Sequence, residues 1–277
     1  MICNLCNGRY FSPVWEVPSK LAGSDQHVLK KPETYHLDKC KICGLIQARE
    51  REYINDDFRK ALYGADYFAS YGGKKPYQDY MQKNRPFQRM ARILNGLNRA
   101  GNNKVLEIGC GYGGFMEEIS LLGWDAEGIE LSEHAAKAAQ DRGLNVRCCD
   151  LASQEGASGA YDAVVTLATI EHVLDPKQFI VDAARYVRPG GILMLTSIDM
   201  DGILPKLLGR RWPQIAPPWH LYYFKQNHIA FYLENAGLKP RFVGGKMLPL
   251  TSFYSTKPYL EGRRIINFGY VLFIAEK

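Results

Sequence analysis

One run of residues constrains this chain more than any other: Val105-Leu106-Glu107-Ile108-Gly109-Cys110-Gly111-Tyr112-Gly113-Gly114. An apolar stretch passes straight into a glycine-dense turn and then into a segment with helical spacing. Glycines are needed there because the turn is tight and its backbone must approach a ligand closely. The run therefore predicts a strand–turn–helix unit of a ligand-binding α/β sheet. Gly109, Gly111 and Gly114 also satisfy the dinucleotide pattern G-x-G-x-x-G, so the loop by itself leaves the ligand open.

Three acidic residues narrow the choice. Glu107 lies two residues before the first glycine, where a carboxylate repels a pyrophosphate and suits a ligand carrying ammonium and sulfonium groups, as S-adenosylmethionine does. Glu130 follows Gly109 by 21 residues, after the next apolar run, and can accept both ribose hydroxyls. Asp150 follows a third apolar run. From spacing alone it serves equally as a partner of the adenine amino group or as a helix or turn cap.

From residue 104 onward, short apolar runs alternate with helical stretches, the pattern of βαβ units and a mainly parallel sheet. Strands are predicted over 104–108, 124–129, 144–148, 161–167, 191–197, 238–243 and 267–275. Helices are predicted from the glycine turn to about 122 and over 132–142, 176–187 and 225–236, with a Pro- and Trp-rich loop over 198–223. Three regions follow: 1–50 as a metal-binding module, 51–100 as a helical, tyrosine-rich lid or linker, and 101–277 as the ligand-binding domain.

Composition bounds the partners. Lys+Arg number 35 against 29 Asp+Glu, a net charge of +6. That suits an anionic substrate but does not demand nucleic acid, and no run of five or six like charges appears. No apolar run approaches the ~18 residues that span a bilayer, and the N-terminus lacks the pattern of a secretory leader. A soluble cytoplasmic protein is expected, with no membrane partner.

In such a compartment seven cysteines suggest metal ligands or buried thiols rather than disulfides. Cys3-x2-Cys6 and Cys40-x2-Cys43 stand 33 residues apart. Each pair places two thiolates on one knuckle, and two knuckles complete a tetrahedral structural Zn2+ site. Four unrelated buried thiols and a redox pair are the alternatives. Cys110, Cys148 and Cys149 read as small buried hydrophobes.

Further motifs carry a family resemblance. Tyr161-Asp162-Ala163-Val164-Val165, Thr169-Ile170-Glu171-His172-Val173 and Arg188-Pro189-Gly190-Gly191, together with the glycine turn, Glu130 and Asp150, resemble the class I S-adenosylmethionine-dependent methyltransferases. The resemblance covers 104 to 277. It implies a Rossmann-like seven-strand sheet in the order 3-2-1-4-5-7-6 with strand 7 antiparallel. It also implies a cofactor set of Glu107, Gly109, Cys110, Gly111, Tyr112, Gly113, Glu130, Leu131, Asp150, Leu151 and Thr169. Within the class, the four cysteines and Pro218-Trp219-His220-Leu221-Tyr222-Tyr223-Phe224 look like a bacterial subgroup tied to sugar and other secondary-metabolite methylation. Some of its members are C-methyltransferases of nucleotide-linked keto sugars.

The resemblance makes His220 a general base. His172, just past the fourth strand of the expected sheet, is the other candidate, with Glu171 either orienting it or capping a helix. For each histidine a structural hydrogen bond is the alternative. Tyr63, Tyr67, Tyr71, Tyr77 and Tyr80 crowd one segment, as a packing face or as a lid whose rings meet the sulfonium. Trp212 and Trp219 either wall an apolar pocket or pin the loop. Methyl transfer to a small molecule is the function expected, with an RNA or protein methyltransferase and a non-catalytic cofactor-binding protein as alternatives. The exocyclic-amine signature Asn/Asp-Pro-Pro-Tyr is missing after the fourth strand, so nucleic acid is not the partner expected. The acceptor atom and the oligomeric state stay open.

Overall fold

The architecture comes from a computed structural model that describes residues 1–19, 32–65, 67–68, 85–97, 102–154, 156–243, 247–248, 253–254 and 269–277. Tyr71, Tyr77 and Tyr80, to which the lid expectation extends, lie outside them.

The glycine run folds as its composition predicts. Strand β4 (Lys104–Ile108) enters the turn, and helix α3 (Gly114–Ser120) leaves it. β4 pairs in parallel with β5 (Asp125–Glu130) on one side and β7 (Tyr161–Leu167) on the other. β7 is buried at every position except its last, as a central parallel strand covered on both faces must be. Beyond β5 lies β6 (Asn145–Cys148), and beyond β7 lies β8 (Val187–Ile198). β13 (Tyr270–Glu276) then inserts antiparallel between β8 and β10 (Lys239–Val243). The sheet order is β6-β5-β4-β7-β8-β13-β10, which is the 3-2-1-4-5-7-6 arrangement expected. The strands added after β4 first extend the sheet on one side, to β5 and β6, and then on the other, from β7 onward, so the strand order switches between β4 and β7 although the two run parallel. Such a switch point opens a crevice at the carboxyl ends of the strands.

Caps explain where the helices start. α4 (Glu133–Gln140) begins at Ser132, whose hydroxyl accepts from Ala135 N–H at 3.3 Å. α5 (Pro176–Tyr186) begins at Asp175, which accepts from Gln178 N–H, and carries proline at its first position. α2 (Arg85–Leu97) packs beside α3.

Two boundaries differ from the sequence reading. β8 starts at Val187, because Arg188 to Gly191 form an irregularity inside the strand: its register steps from Tyr161↔Val187 to Ala163↔Ile192. The loop after β8 also holds a short helix, α6 (Ile203–Leu208). Among the described residues no helix is long and apolar enough to cross a membrane.

A second sheet holds the N-terminal cysteines. β1 (Phe11–Pro18), β2 (Thr34–Cys40) and β3 (Ile46–Ala48) pair antiparallel. Its fourth strand, β9 (Tyr222–Tyr223), comes from the aromatic run more than 170 residues later. β3 is buried at all three positions, and β9 supplies the partner that its inward edge needs. Helix α7 (Gln226–Asn235) follows β9, and a 3-10 turn over Arg49–Tyr53 leads from β3 towards α1 (Asp56–Leu62). Two further short strands, β11 (Met247–Leu248) and β12 (Phe253–Tyr254), pair antiparallel with each other.

Candidate active site

The glycine turn sits at the switch point. Gly109 and Cys110 both donate from their backbone N–H to Ile129 O, at 2.9 and 3.1 Å, which brings the turn beside Glu130. Gly109 and Gly111 adopt φ of +71° and +54°, the left-handed region that glycine enters freely. Their surroundings differ. A Cβ on Gly109 would stand 2.7 Å from Thr169 Oγ1, whereas at Gly111 the nearest atom is Phe68 Cε1 at 3.7 Å. Gly109 is glycine so that the loop after β7 can pack on it. Gly111 leaves an open cradle.

Two buried carboxyls face this turn. Glu130 is 8% exposed and accepts from Gly111 N–H at 2.8 Å and Ser132 N–H at 2.9 Å. Each oxygen keeps a further lone pair for a ligand. Burial raises its pKa. Glu107 is 3% exposed, and its Oε2 has no hydrogen-bond partner among the described residues. Burial and the charge of Glu130 push its pKa well above the carboxylate range. A buried acceptor left unpaired is costly, and a cationic group entering the cradle supplies the missing partner. The residues therefore fit a positively charged nucleoside.

The remaining predicted cofactor residues lie along the same rim. Thr169 packs on Gly109, with its hydroxyl 3.4 Å from Ile108 O. Cys110 and Leu151 are buried, and Leu131 is half-buried. Tyr112 Oη lies 3.2 Å from His134 Nε2. Asp150 caps the short turn Leu151–Ser153 through Ala152 N–H at 3.1 Å and pairs with Arg59 of α1 at 2.9 Å. The capping reading of Asp150 is thus realised, and Arg59 is a neighbour that no motif signals. A cavity of about 960 Å³ runs along this edge, lined by Arg59, Tyr63, Leu131, Cys148, Asp150 and Leu151 among others.

From the turn, aromatic rings lead to the histidines. Tyr112 meets Phe68 at 5.0 Å between centroids, Phe68 meets Tyr67 at 5.1 Å, and Tyr67 meets Tyr63 at 5.0 Å and Trp219 at 5.9 Å. Tyr63 then stands edge-on to His172 at 5.9 Å, and His172 to His220 at 4.7 Å. Trp212 is not part of this wall; it packs against Tyr270.

The structure brings Glu171, His172 and His220 together, with one ligand atom of each within 4.8 Å of the others. His220 Nδ1–H donates to Gln214 O at 2.7 Å, and His172 Nδ1–H donates to Trp219 O at 2.9 Å. Tyr63 Oη lies 3.1 Å from the same His172 nitrogen. With Nδ1 carrying the proton, each imidazole keeps an acceptor lone pair on Nε2. Burial lowers the pKa of His172 to about 3, aided by His220, and that of His220 to about 4. Both rings are therefore neutral at pH 7. Glu171 is 1% exposed and accepts from Ser197 Oγ–H at 3.1 Å; burial raises its pKa to about 7. Ser197, at the end of β8, is a site neighbour that the sequence reading missed. Its only signal is a polar residue closing an apolar strand.

The four N-terminal cysteines also converge. Cys3 and Cys43 Sγ stand 3.5 Å apart and Cys6 and Cys40 Sγ 3.6 Å apart, all four within 4.8 Å. Tetrahedral Zn–S bonds of about 2.3 Å place sulfurs about 3.8 Å apart. The two knuckles share one backbone pattern: Asn7 N–H donates to Cys3 O and Gly44 N–H to Cys40 O, while Cys3 N–H donates to Gly8 O and Cys40 N–H to Leu45 O. The cluster can hold a tetrahedral metal ion with no open position.

Comparison with known proteins agrees with this geometry. The family described as "Methyltransferase domain" matches residues 77–241, more than half of the chain. The chain is 32% identical over 177 residues to a ubiquinone biosynthesis O-methyltransferase of Dechloromonas aromatica, covering 59% of this chain and 76% of that protein. It is 29% identical to one of Bordetella avium, covering 65% and 77%. Among solved structures, magnesium protoporphyrin IX methyltransferase from Synechocystis with bound SAH superposes with a TM-score of 0.60 at 16% identity, covering 80% of this chain and 100% of that one; that likeness is one of fold. The chain belongs to the class I methyltransferase family, as an S-adenosylmethionine-dependent enzyme that methylates a small-molecule acceptor.

Proposed function

We propose that the chain transfers a methyl group to a hydroxyl oxygen of a phenolic small molecule, with His220 as general base and a structural Zn2+ on Cys3, Cys6, Cys40 and Cys43. The observation that carries the mechanism is the buried His172–His220–Glu171 cluster, each imidazole held at Nδ1 by a backbone carbonyl, joined to the glycine turn through Thr169. The relatives' printed names, O-methyltransferases of ubiquinone biosynthesis, support oxygen as the acceptor atom, and the aromatic wall suits a planar ring.

S-adenosylmethionine, when bound, supplies an electrophilic methyl on a sulfonium. Glu107 would hold its ammonium end, Glu130 would accept from its ribose hydroxyls, and Gly111 would let it approach the backbone of the turn. Leu131 and Leu151 would flank its base. Asp150, held by Ala152 N–H and Arg59, would accept from the adenine amino group on its remaining lone pairs. Cys110, Tyr112, Gly113 and Thr169 shape the rim. Tyr63, Tyr67 and Trp219 orient the acceptor and keep water out. His220 takes the hydroxyl proton on Nε2. Nδ1 cannot do so while it donates to Gln214 O. The imidazolium formed lies beside the Glu171 carboxylate, and opposite charges this close in a dry site stabilise one another. His172, held by the Trp219 carbonyl, fixes the ring opposite His220. Holding oxygen, methyl and sulfur in line would supply most of the rate enhancement.

A second reading keeps the chemistry and takes a sugar hydroxyl as acceptor. The four-cysteine cluster followed by the Pro218–Phe224 run, the pattern of the sugar-methylating subgroup, favours it. A panel of catechols, phenols and nucleotide-linked sugars, incubated with methyl-labelled S-adenosylmethionine, tests both. Label in a phenolic ether supports the first reading. Label in sugars alone overturns it in favour of the second, and label on carbon or nitrogen overturns both.

A further inference from the structure

We infer that the four-cysteine module is a positioning element of the methyl-transfer site: it holds His220 in place through the β3–β9 pairing. The inference rests on the reading of His220 as the base.

The path from the cysteines to the histidine is short and continuous. Cys43 is followed after two residues by β3, in which Ile46 pairs with Tyr223 and Gln47 with Tyr222. Ala48 N–H donates to Leu221 O at 2.9 Å, and on its other side Leu221 N–H donates to Glu171 O at 2.9 Å. Leu221, the neighbour of His220, is thus clamped between the module and the backbone of the residue whose carboxyl completes the cluster. Tyr223 Oη–H donates to His220 O at 3.1 Å. Tyr222 Oη–H donates to Leu174 O at 2.7 Å and accepts from Arg51 Nε–H at 3.1 Å. Both tyrosines are buried.

Both knuckles grip the main domain through residues next to the thiols. Asn4, between Cys3 and Cys6, donates from Nδ2 to Asp175 Oδ1 at 2.8 Å; its Oδ1 accepts from Lys177 N–H at 3.1 Å and Tyr232 Oη–H at 2.8 Å. Cys43 O accepts from His228 Nε2–H at 3.0 Å. Arg51 and Gln47 donate to Ile2 O at 2.7 and 3.2 Å. A three-residue strand holds little alignment of its own, and four-thiolate modules depend on their metal to fold. Emptying the site therefore loosens β3, and with it the 220–223 segment. Glu107, Glu130 and the glycine turn do not depend on that pairing.

Two perturbations of the full-length protein test this. The first removes the metal with a chelator under reducing conditions. The second, Ala48→Pro, leaves every cysteine in place: Ala48 has φ −70°, which proline adopts, and the change deletes the N–H that holds Leu221 O. Readouts are metal content, S-adenosylhomocysteine affinity by calorimetry, amide exchange over residues 219–224 by mass spectrometry, and kcat on the most active acceptor of the panel. The expected result is one zinc per chain in fresh protein and in Ala48→Pro. In both perturbed proteins exchange over 219–224 rises at least tenfold and kcat falls at least tenfold, with affinity within threefold; added zinc restores the chelated sample. Unchanged exchange and kcat in either perturbed protein overturn the inference, as does fresh protein without metal. Loss of cofactor affinity in parallel with kcat also overturns it, since the module then acts as general scaffolding. His220→Ala is run alongside: normal turnover there overturns the base reading, whatever exchange over 219–224 shows.

Discussion

Replacing Glu171 with glutamine removes a charge from the histidine pair while keeping an oxygen to accept from Ser197 Oγ–H. The cluster's ligand atoms lie within 4.8 Å of one another, and at an effective dielectric of about 20 a unit charge pair at that distance is worth about 3.5 kcal/mol. If half of the imidazolium charge has developed at the transition state, the loss in kcat is about 20-fold; with full charge it is about 300-fold. Burial raises the Glu171 pKa to about 7, so only above that pH is the carboxylate fully present. Wild-type kcat should therefore climb through pH 7, and Glu171→Gln should lose that limb. The same raised pKa has a stability signature of definite sign. The carboxyl favours its protonated form in the fold, so its contribution is present below the unfolded value of 4.5 and is lost as pH rises through about 7. By pH 8 the buried carboxylate costs the wild type about 3 kcal/mol. Urea unfolding should find Glu171→Gln more stable than wild type at pH 8, with the gap closing towards pH 5. Steady-state kinetics from pH 5.5 to 9 with saturating S-adenosylmethionine supply the other half. A variant that keeps kcat within threefold at pH 8, or gains no stability there, rules out a buried Glu171 carboxylate beside the imidazolium.

Three other outcomes follow from the site. Glu130→Ala should weaken S-adenosylmethionine binding at least tenfold, about 1.4 kcal/mol by calorimetry, because it removes the buried carboxylate beside Gly111; unchanged affinity contradicts the ribose assignment. Gly109→Ala and Gly111→Ala should separate: both pay for a positive φ, but only Gly109→Ala drives a Cβ against Thr169, so thermal melts should show the larger stability loss there, while Gly111→Ala loses cofactor affinity with milder destabilisation. The lowered histidine pKa values favour the neutral rings in the fold, so stability is full above pH 6.5 and declines towards pH 4. By pH 5 the pair should have given up about 2–4 kcal/mol, and His172→Gln with His220→Gln should flatten that acid limb.

The parts of the fold that were legible are those where burial writes itself into composition. β4 and β7, covered on both faces, read as mainly apolar runs, broken by Lys104 and Glu107 in β4 and by Asp162 and Thr166 in β7, and the glycine turn between β4 and α3 has a steric reason visible in its residues. The antiparallel β13 was expected in its place because the family pattern requires it. β1 escaped notice because Pro13 interrupts it at a register shift, which an outer strand tolerates and a central one does not. The β3–β9 pairing was invisible because strand partners far apart in sequence leave no local mark. At the site, Glu107, Glu130, Glu171, His172 and His220 were all named from motif positions. The groups that set their chemistry were not. The carbonyls of Gln214 and Trp219 fix the histidines through backbone atoms that any residue would offer. Arg59 meets Asp150 across a distance that no spacing rule covers.

In the proposed mechanism His220 Nε2 takes the acceptor proton, while cofactor binding depends on Glu107, Glu130 and the glycine turn. The most direct measurement is single-turnover transfer of labelled methyl from prebound S-adenosylmethionine to a catechol by His220→Ala, with cofactor affinity measured on the same sample. The expected result is a rate at least a hundredfold below wild type with Kd within twofold. Transfer at the wild-type rate contradicts it.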